Sequence, residues 1–134
     1  MKLRTNGMRR RHIVLAQPSE SWIKLRGRTL SVGTDFSGVE VPLLALNKMH
    51  VHHRHIWSCE KLPAAQRLIK RVFRPTHFYE DAMLRDVLSM PKVDLFISGF
   101  PCQPYSLQGK RLCLADPGGA AVNASLQYLS LIHI

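Results

Sequence analysis

A cysteine stands between two prolines in "GFPCQPYS", residues 99–106, directly after the apolar run "VDLFIS". A thiol so placed either packs or reacts. Pro101 and Pro104 restrict the backbone on both sides of Cys102 and can hold its sulfur out of a sheet, which packing does not require. On these residues alone both readings of Cys102 stay open, and the reactive one sets a chemical requirement. An ordinary thiol, with a pKa of about 8.5, is mostly protonated at neutral pH, so such a site needs backbone N–H groups or nearby cations to activate it. Lys110 and Arg111 are the candidate cations. A second set of chemistry-bearing residues is acidic: Asp35, Glu60 and Asp81 each close a β-rich run. "DFSG" places Phe36, Ser37 and Gly38 in a turn after the first of these. In nucleotide-binding folds a glycine turn lets the backbone approach the ligand, and an acid about 20 residues further on accepts hydrogen bonds from ribose hydroxyls. Glu60 occupies that place, although "FSGVE" lacks the second glycine of a full G-x-G.

The elements that must position these residues alternate. "RTLSVGTD" predicts a strand, and "FSGVEVPLLALNKM" a turn at Gly38 followed by a helix with Pro42 in its first turn and an apolar face at Leu43, Leu44 and Leu46. "VHHRHIWSCE" predicts a second strand ending at Glu60. "LPAAQRLIKRVF" predicts a helix that starts at Pro63, with Ala64, Leu68 and Val72 at helical spacing. "THFYED" is a third strand, "AMLRDVLSM" a short helix that Pro91 ends, and "VDLFIS" a strand buried on both faces of a parallel sheet. The pattern β-α-β-α-β-α-β predicts an α/β, doubly wound sheet with its ligands at the carboxyl ends of the strands. Asp35, Glu60, Asp81 and Cys102 would then share one rim.

A chain of 134 residues has the size of one domain. A basic N-terminal arm over 1–28 followed by one α/β domain over 29–134 is expected. The net charge of +10 and pI near 10.2 point to a polyanionic partner, nucleic acid being the commonest. Lys2, Arg4, Arg9, Arg10, Arg11, Lys24, Arg26 and Arg28 face a single acid, Glu20, in the first segment. No apolar run approaches the roughly 18 residues of a membrane span. "HIVLA" is shorter than the ~7–15 residues of a secretory core, so a nuclear or cytoplasmic protein is expected. Cys59, Cys102 and Cys113 lack C-x-x-C spacing, and neither a disulfide framework nor a zinc site is expected. "HVHHRH", with His50, His52, His53 and His55, suits a plain strand better than a metal site, because alternation sends neighbours to opposite faces. Cys59 and Cys113 read as core or loop thiols.

"TDFSG", the strand-end Glu60, "YED" and above all "DLFISGFPCQPYSLQGKR" resemble the S-adenosylmethionine-dependent cytosine-C5 DNA methyltransferases, from about Leu30 to Asp116. Glu40 stands where many members carry glycine, although some relatives have a similar "SGxExP". The resemblance implies a Rossmann-like methyltransferase fold, of which this chain holds the first half. It implies transfer of a methyl group from S-adenosyl-L-methionine to C5 of cytosine in double-stranded DNA. Cys102 would attack C6, making C5 an enamine carbon that accepts the methyl. The cofactor would be held by Phe36 against the adenine, Ser37 and Gly38 beside the methionine moiety, Glu60 on the ribose and Asp81 on the adenine amino group. Asp35 would contribute at the methionine end. Gln103, Ser106, Lys110 and Arg111 would lie near the target nucleotide and its backbone, and the base would be flipped from the duplex to expose C6.

The family's later "ENV" and target-recognition segments do not occur in this sequence. An inactive fragment is therefore expected, with "VDLFIS" left as a bare sheet edge that invites association. A tRNA cytosine-C5 methyltransferase, and a non-catalytic nucleic-acid-binding or regulatory module retaining the half-fold, are the alternatives.

Overall fold

The computed structural model describes residues 27–106, 116 and 119–132. Most of the basic arm, with Lys110, Arg111 and Cys113, lies outside the described residues. Four strands, β1 (Leu30–Asp35), β2 (His53–Cys59), β3 (His77–Tyr79) and β4 (Leu95–Ser98), form one sheet in the order β3-β2-β1-β4. All three neighbouring pairs are parallel. The helices are α1 (Val41–Lys48), α2 (Pro63–Val72) and α3 (Ala120–Ile132), with a single 3-10 turn over Val87–Ser89. The chain runs outward from β1 to β3 and then returns to β1's other side as β4. That reversal opens a crevice at the carboxyl ends of β1 and β4, where open α/β sheets place their ligands.

Side-chain alternation along β1 separates two layers. Thr34 points toward the start of α1, where its hydroxyl donates to Glu40 at 2.7 Å. Gly33 points the opposite way, into a cluster of Trp57, Cys59, Met90, Ala124 and Tyr128. A Cβ on Gly33 would lie 2.3 Å from Trp57 Cε2, so only glycine lets the indole lie across β1. A register slip between Val32 and Gly33 brings both Ile56 and Trp57 into this cluster, as a β-bulge allows. Trp57 meets Tyr128 edge-on at 4.9 Å and Phe96 at 5.7 Å. Its Nε1 donates to Tyr128 Oη at 3.3 Å, and that hydroxyl donates to Pro91 O at 2.7 Å, so the ring's polar atoms are satisfied.

Three local expectations are corrected. The segment 82–90 is not a helix but turns with one 3-10 turn. Asp81 accepts from the amide of Met83 and Asp86 from that of Leu88, and such side-chain bonds compete with helix formation. Helix α2 buries Ala65 and Ile69 rather than Ala64, Leu68 and Val72, which are exposed. The apolar stripe there is two residues wide, and the helix turns the isoleucine inward. Strand β4 is half-buried along its whole length, because it has only β1 as a neighbour among the described residues. Helix α3 falls in a stretch for which no element was expected. It buries Ala121, Ala124, Ser125 and Tyr128, an i, i+3, i+4, i+7 face. No helix among the described residues is long and apolar enough to cross a membrane.

Candidate active site

The loop after β1 is the most constrained piece of backbone at the rim. Phe36, Gly38 and Glu40 all have left-handed φ, at 52°, 56° and 59°. Two of these residues bear a Cβ, so surrounding contacts must hold them there. Ser37 supplies several. Its amide donates to Cys59 O at 3.2 Å, and its hydroxyl lies 2.8 Å from that of Ser58 and 3.0 Å from that of Thr34. The side chain of Ser37 therefore faces inward and fastens the loop to β2. Gly38 offers its amide outward to Glu60 Oε2 at 2.7 Å, while Glu60 Oε1 accepts from Leu62 N at 2.8 Å. Glu60 thus joins the glycine turn to the start of α2, and each of its oxygens keeps a further lone pair.

Asp81 stands at the end of the next strand. Lys61 Nζ lies 2.9 Å from its Oδ2 and the Met83 amide 2.9 Å from its Oδ1. The hydrogen bond from Lys61, and then the amide, hold this carboxyl below the usual range. Phe36, Glu60 and Asp81 line one cleft of about 760 Å³, walled also by Leu62, Gly99 and Pro101. A cleft of that size with an aromatic, apolar walls and two convergent carboxylates is the usual form of a cofactor site.

Asp35 is differently employed. Its carboxylate is fully buried and paired bidentately with Arg85, whose side chain is 1% exposed. Ser125 Oγ donates to Asp35 Oδ2 at 3.1 Å, and Arg85 Nη2 donates to Ala124 O at 3.4 Å. The guanidinium lies 5.3 Å from the Trp57 ring. Against the burial that opposes charge, the hydrogen bond to Asp35 holds Arg85 above its ordinary value. This pair ties β1 to the β3–β4 connection and to α3. Sequence reading missed Arg85; nothing local distinguishes it from the other basic residues until the fold brings it to Asp35. Of Asp35, its carbonyl faces the rim, accepting from Gly99 N at 3.0 Å.

Glu40 was also missed as a site feature and noted only as a departure from glycine. It is wholly buried. Its Oε1 accepts from Thr34 and Ser58 hydroxyls, both at 2.7 Å, while its Oε2 has no partner among the described residues. Burial raises its pKa. His55 Nε2 approaches to 3.5 Å, but burial drives that imidazole down to about 4. The contact is therefore not an ion pair at neutral pH.

The two described cysteines differ sharply. Cys59 is buried, and burial followed by the Asp35 charge pushes its thiol up to about 12, which makes it inert packing. Cys102 is exposed, on the loop that follows β4. Its carbonyl collects the amides of Tyr105 and Ser106, both at 2.9 Å. Tyr105 Oη donates to Gly119 O at 2.8 Å, and Pro104 is buried, so the loop is anchored on the C-terminal side of the thiol. Gln103 is exposed and Ser106 half-buried beside it. Among the described residues no three His, Cys, Asp or Glu side chains gather as a metal site.

Residues 35–130, from the first strand-end acid through the cysteine loop into α3, match the family model for C-5 cytosine-specific DNA methylase. The chain belongs to the C-5 cytosine-specific DNA methylase family. Within curated proteins it is 33% identical over 104 residues to DNA (cytosine-5-)-methyltransferase DMT5 of Cryptococcus neoformans, covering 62% of this chain and 4% of that protein. It is 32% identical over 75 residues to the type II methyltransferase M.NlaIV of Neisseria lactamica, covering 56% of this chain and 18% of that protein. The type II methyltransferase M.NgoBV of Neisseria gonorrhoeae shows the same identity and coverage. The chain thus spans less than a fifth of each relative. Membership agrees with the parallel α/β sheet and the strand order of a Rossmann-like methyltransferase half-fold.

Proposed function

We propose that this chain carries the cofactor cleft and the nucleophile of an enzyme that methylates C5 of cytosine in double-stranded DNA. The observation that carries the reading is the shared rim: Phe36, Glu60 and Asp81 line one cleft at the β1/β4 reversal, and an exposed cysteine, Cys102, directly follows the cleft residue Pro101.

The residues fit S-adenosyl-L-methionine, which supplies an electrophilic methyl group when bound. Glu60 would accept from the ribose hydroxyls with its remaining lone pairs. Asp81 would accept from the adenine amino group, its charge maintained by Lys61, and Phe36 would cover the base. Ser37 and Gly38 form the turn beside the methionine end, Ser37 by fastening it and Gly38 by close backbone approach. Asp35 contributes there through its main chain, its carboxylate being held by Arg85.

Cys102 thiolate would attack C6 of a flipped cytosine, forming the S–C6 bond and making C5 an enamine carbon. After C5 takes the methyl group, loss of the C5 proton expels the thiolate and restores the ring. Lys110 and Arg111, outside the described residues, are the cations proposed to favour the thiolate and to hold phosphate. Gln103 and Ser106, on the same loop as Cys102, would position the target nucleotide.

The test is transfer from methyl-labelled cofactor by this chain joined to the family's "ENV" and target-recognition segments, with nucleosides of duplex DNA and of tRNA analysed separately. Label in 5-methylcytosine of DNA is expected. Label confined to tRNA would replace DNA by RNA as the substrate, and cofactor binding without transfer to either would favour a binding module.

A further inference from the structure

Most strand-end carboxylates of the described residues lie at one end of the sheet, although Glu80, after the three-residue β3, reaches Lys70 on α2 at 3.1 Å. Asp35, Glu60 and Asp81 close β1, β2 and β3 at the carboxyl rim, with Glu40 and Glu80 beside them. Arg28, Lys61, Lys70 and Arg85 have carboxylate partners. Lys48, Arg54, Arg67, Arg71, Arg74 and Lys92 have none among the described residues, and all six are exposed.

These unpaired cations gather toward the other pole. Helices in β-α-β units run opposite to the strands, so Lys48 at the end of α1 and Arg71 in the last turn of α2 reach the strands' amino ends, where Arg54 opens β2 and Lys92 precedes β4. Main-chain bonds draw the region together: Leu30 N donates to His52 O at 2.9 Å, Thr76 N to His55 O at 3.3 Å, and Asp94 N to Ser31 O at 3.0 Å. Arg67 and Arg71 stand at i, i+4 on α2, and Arg74 follows just past its end at a left-handed φ of 47°, braced by its Nε–H donating to Arg71 O at 3.2 Å. Asp94, the described carboxylate that directly precedes β4, is taken by Arg28 and Ser31. The α2 macrodipole accounts for one cation in the last turn. It does not account for Arg54 or Lys92, and like charges at i, i+4 weaken a helix.

We infer that the pole opposite the catalytic rim is a second nucleic-acid surface, which grips phosphates of a duplex segment distant from the target cytosine. The inference rests on the proposed DNA substrate. Guanidinium groups dominate the set, and their forked donors suit phosphate oxygens. Exposed His50, His52 and His77 add donors without adding carboxylates.

The probe is a labelled A·T-only duplex, which contains no cytosine, bound to the whole chain and followed by fluorescence anisotropy from low to moderate salt. The comparison variant is Arg54→Gln/Arg71→Gln/Lys92→Gln. Each lost phosphate contact lowers the slope of log K against log salt by about 0.9, so the triple variant should lose about 2.7 of slope. Arg71→Gln alone should lose about 0.9 and Arg71→Lys nothing, which keeps the test usable if the triple variant does not fold. Calorimetric binding of S-adenosyl-L-homocysteine should be unchanged in all three; its absence from the unsubstituted chain would count against the proposed enzyme and not against this surface. An unchanged slope would overturn the inference. So would loss of poly-glutamate binding with duplex binding intact, which would assign the pole to an acidic protein.

Discussion

Removing Arg85 should be among the most damaging single substitutions in this chain. Arg85→Met would keep much of the side-chain length while leaving the Asp35 carboxylate, which is 1% exposed as a residue, without its bidentate partner and with only the 3.1 Å bond from Ser125. Breaking a buried ion pair from one side costs about 3–5 kcal/mol, because the remaining charge stays buried and uncompensated. That is a large part of the roughly 5–15 kcal/mol that holds a typical domain folded. The double variant Asp35→Leu/Arg85→Met removes both charges and should recover most of the loss, since buried pairs exchanged for apolar residues are often near neutral. Urea unfolding followed by the fluorescence of Trp57, which lies 5.3 Å from the guanidinium, reads both. With a urea dependence of about 1–3 kcal/mol per molar, Arg85→Met should lower the midpoint by about 1 M or more. A loss below about 1 kcal/mol, or a double variant worse than the single, would refute the structural role given to this pair.

Gly33→Ala places a methyl 2.3 Å from Trp57 Cε2; overpacking of this kind costs about 1–3 kcal/mol, and thermal unfolding should show a midpoint lower by several degrees. Glu40→Gln keeps the acceptor for Thr34 and Ser58 but cannot ionise. Because burial raises the pKa of Glu40, stability from that group is fully present below its ordinary 4.5 and is lost as pH rises through the folded value. The variant should therefore gain on the unsubstituted chain as pH increases, by urea titration at several pH values; the opposite trend would contradict the assignment. His55, lowered to about 4, acts in the other sense in both proteins: stability present above 6.5 is lost as pH falls from 6.5 toward 4. Glu60→Ala should weaken S-adenosyl-L-methionine by about 1–3 kcal/mol, roughly ten- to a hundredfold by calorimetry. Unchanged affinity would remove Glu60 from the ribose.

The strands and the rim were legible because they rest on local pattern. β-rich runs ending in Asp35, Glu60 and Asp81 do end at one edge, and Cys102 does follow the fourth strand. What was not legible depended on partners far away in the chain. Arg85 meets Asp35 across 50 residues, and Tyr128 meets Trp57 across 71, so neither ion pair nor core could be read from spacing. The α2 face was misjudged by one position because Ala64–Ala65 and Leu68–Ile69 offer two adjacent stripes, and only the sheet chooses between them. The segment 82–90 has helical composition, but Asp81 and Asp86 divert its amides into local turns. Glu40 looked like a departure from glycine; folded, it joins Thr34 and Ser58 beneath the Ser37–Gly38 turn.

The most direct test of the account is covalent capture. Duplex DNA carrying 5-fluorocytosine at the target position cannot lose fluorine from C5 as it would a proton, so an enzyme that attacks C6 stays attached after methyl transfer. Incubated with S-adenosyl-L-methionine and this chain joined to the family's "ENV" and target-recognition segments, such DNA should form a denaturant-stable adduct whose peptide map places the modification on Cys102, and Cys102→Ala in the same protein should bind the cofactor yet form no adduct. An adduct that persists in Cys102→Ala, or a map that places it on Cys59 or Cys113, would contradict the account.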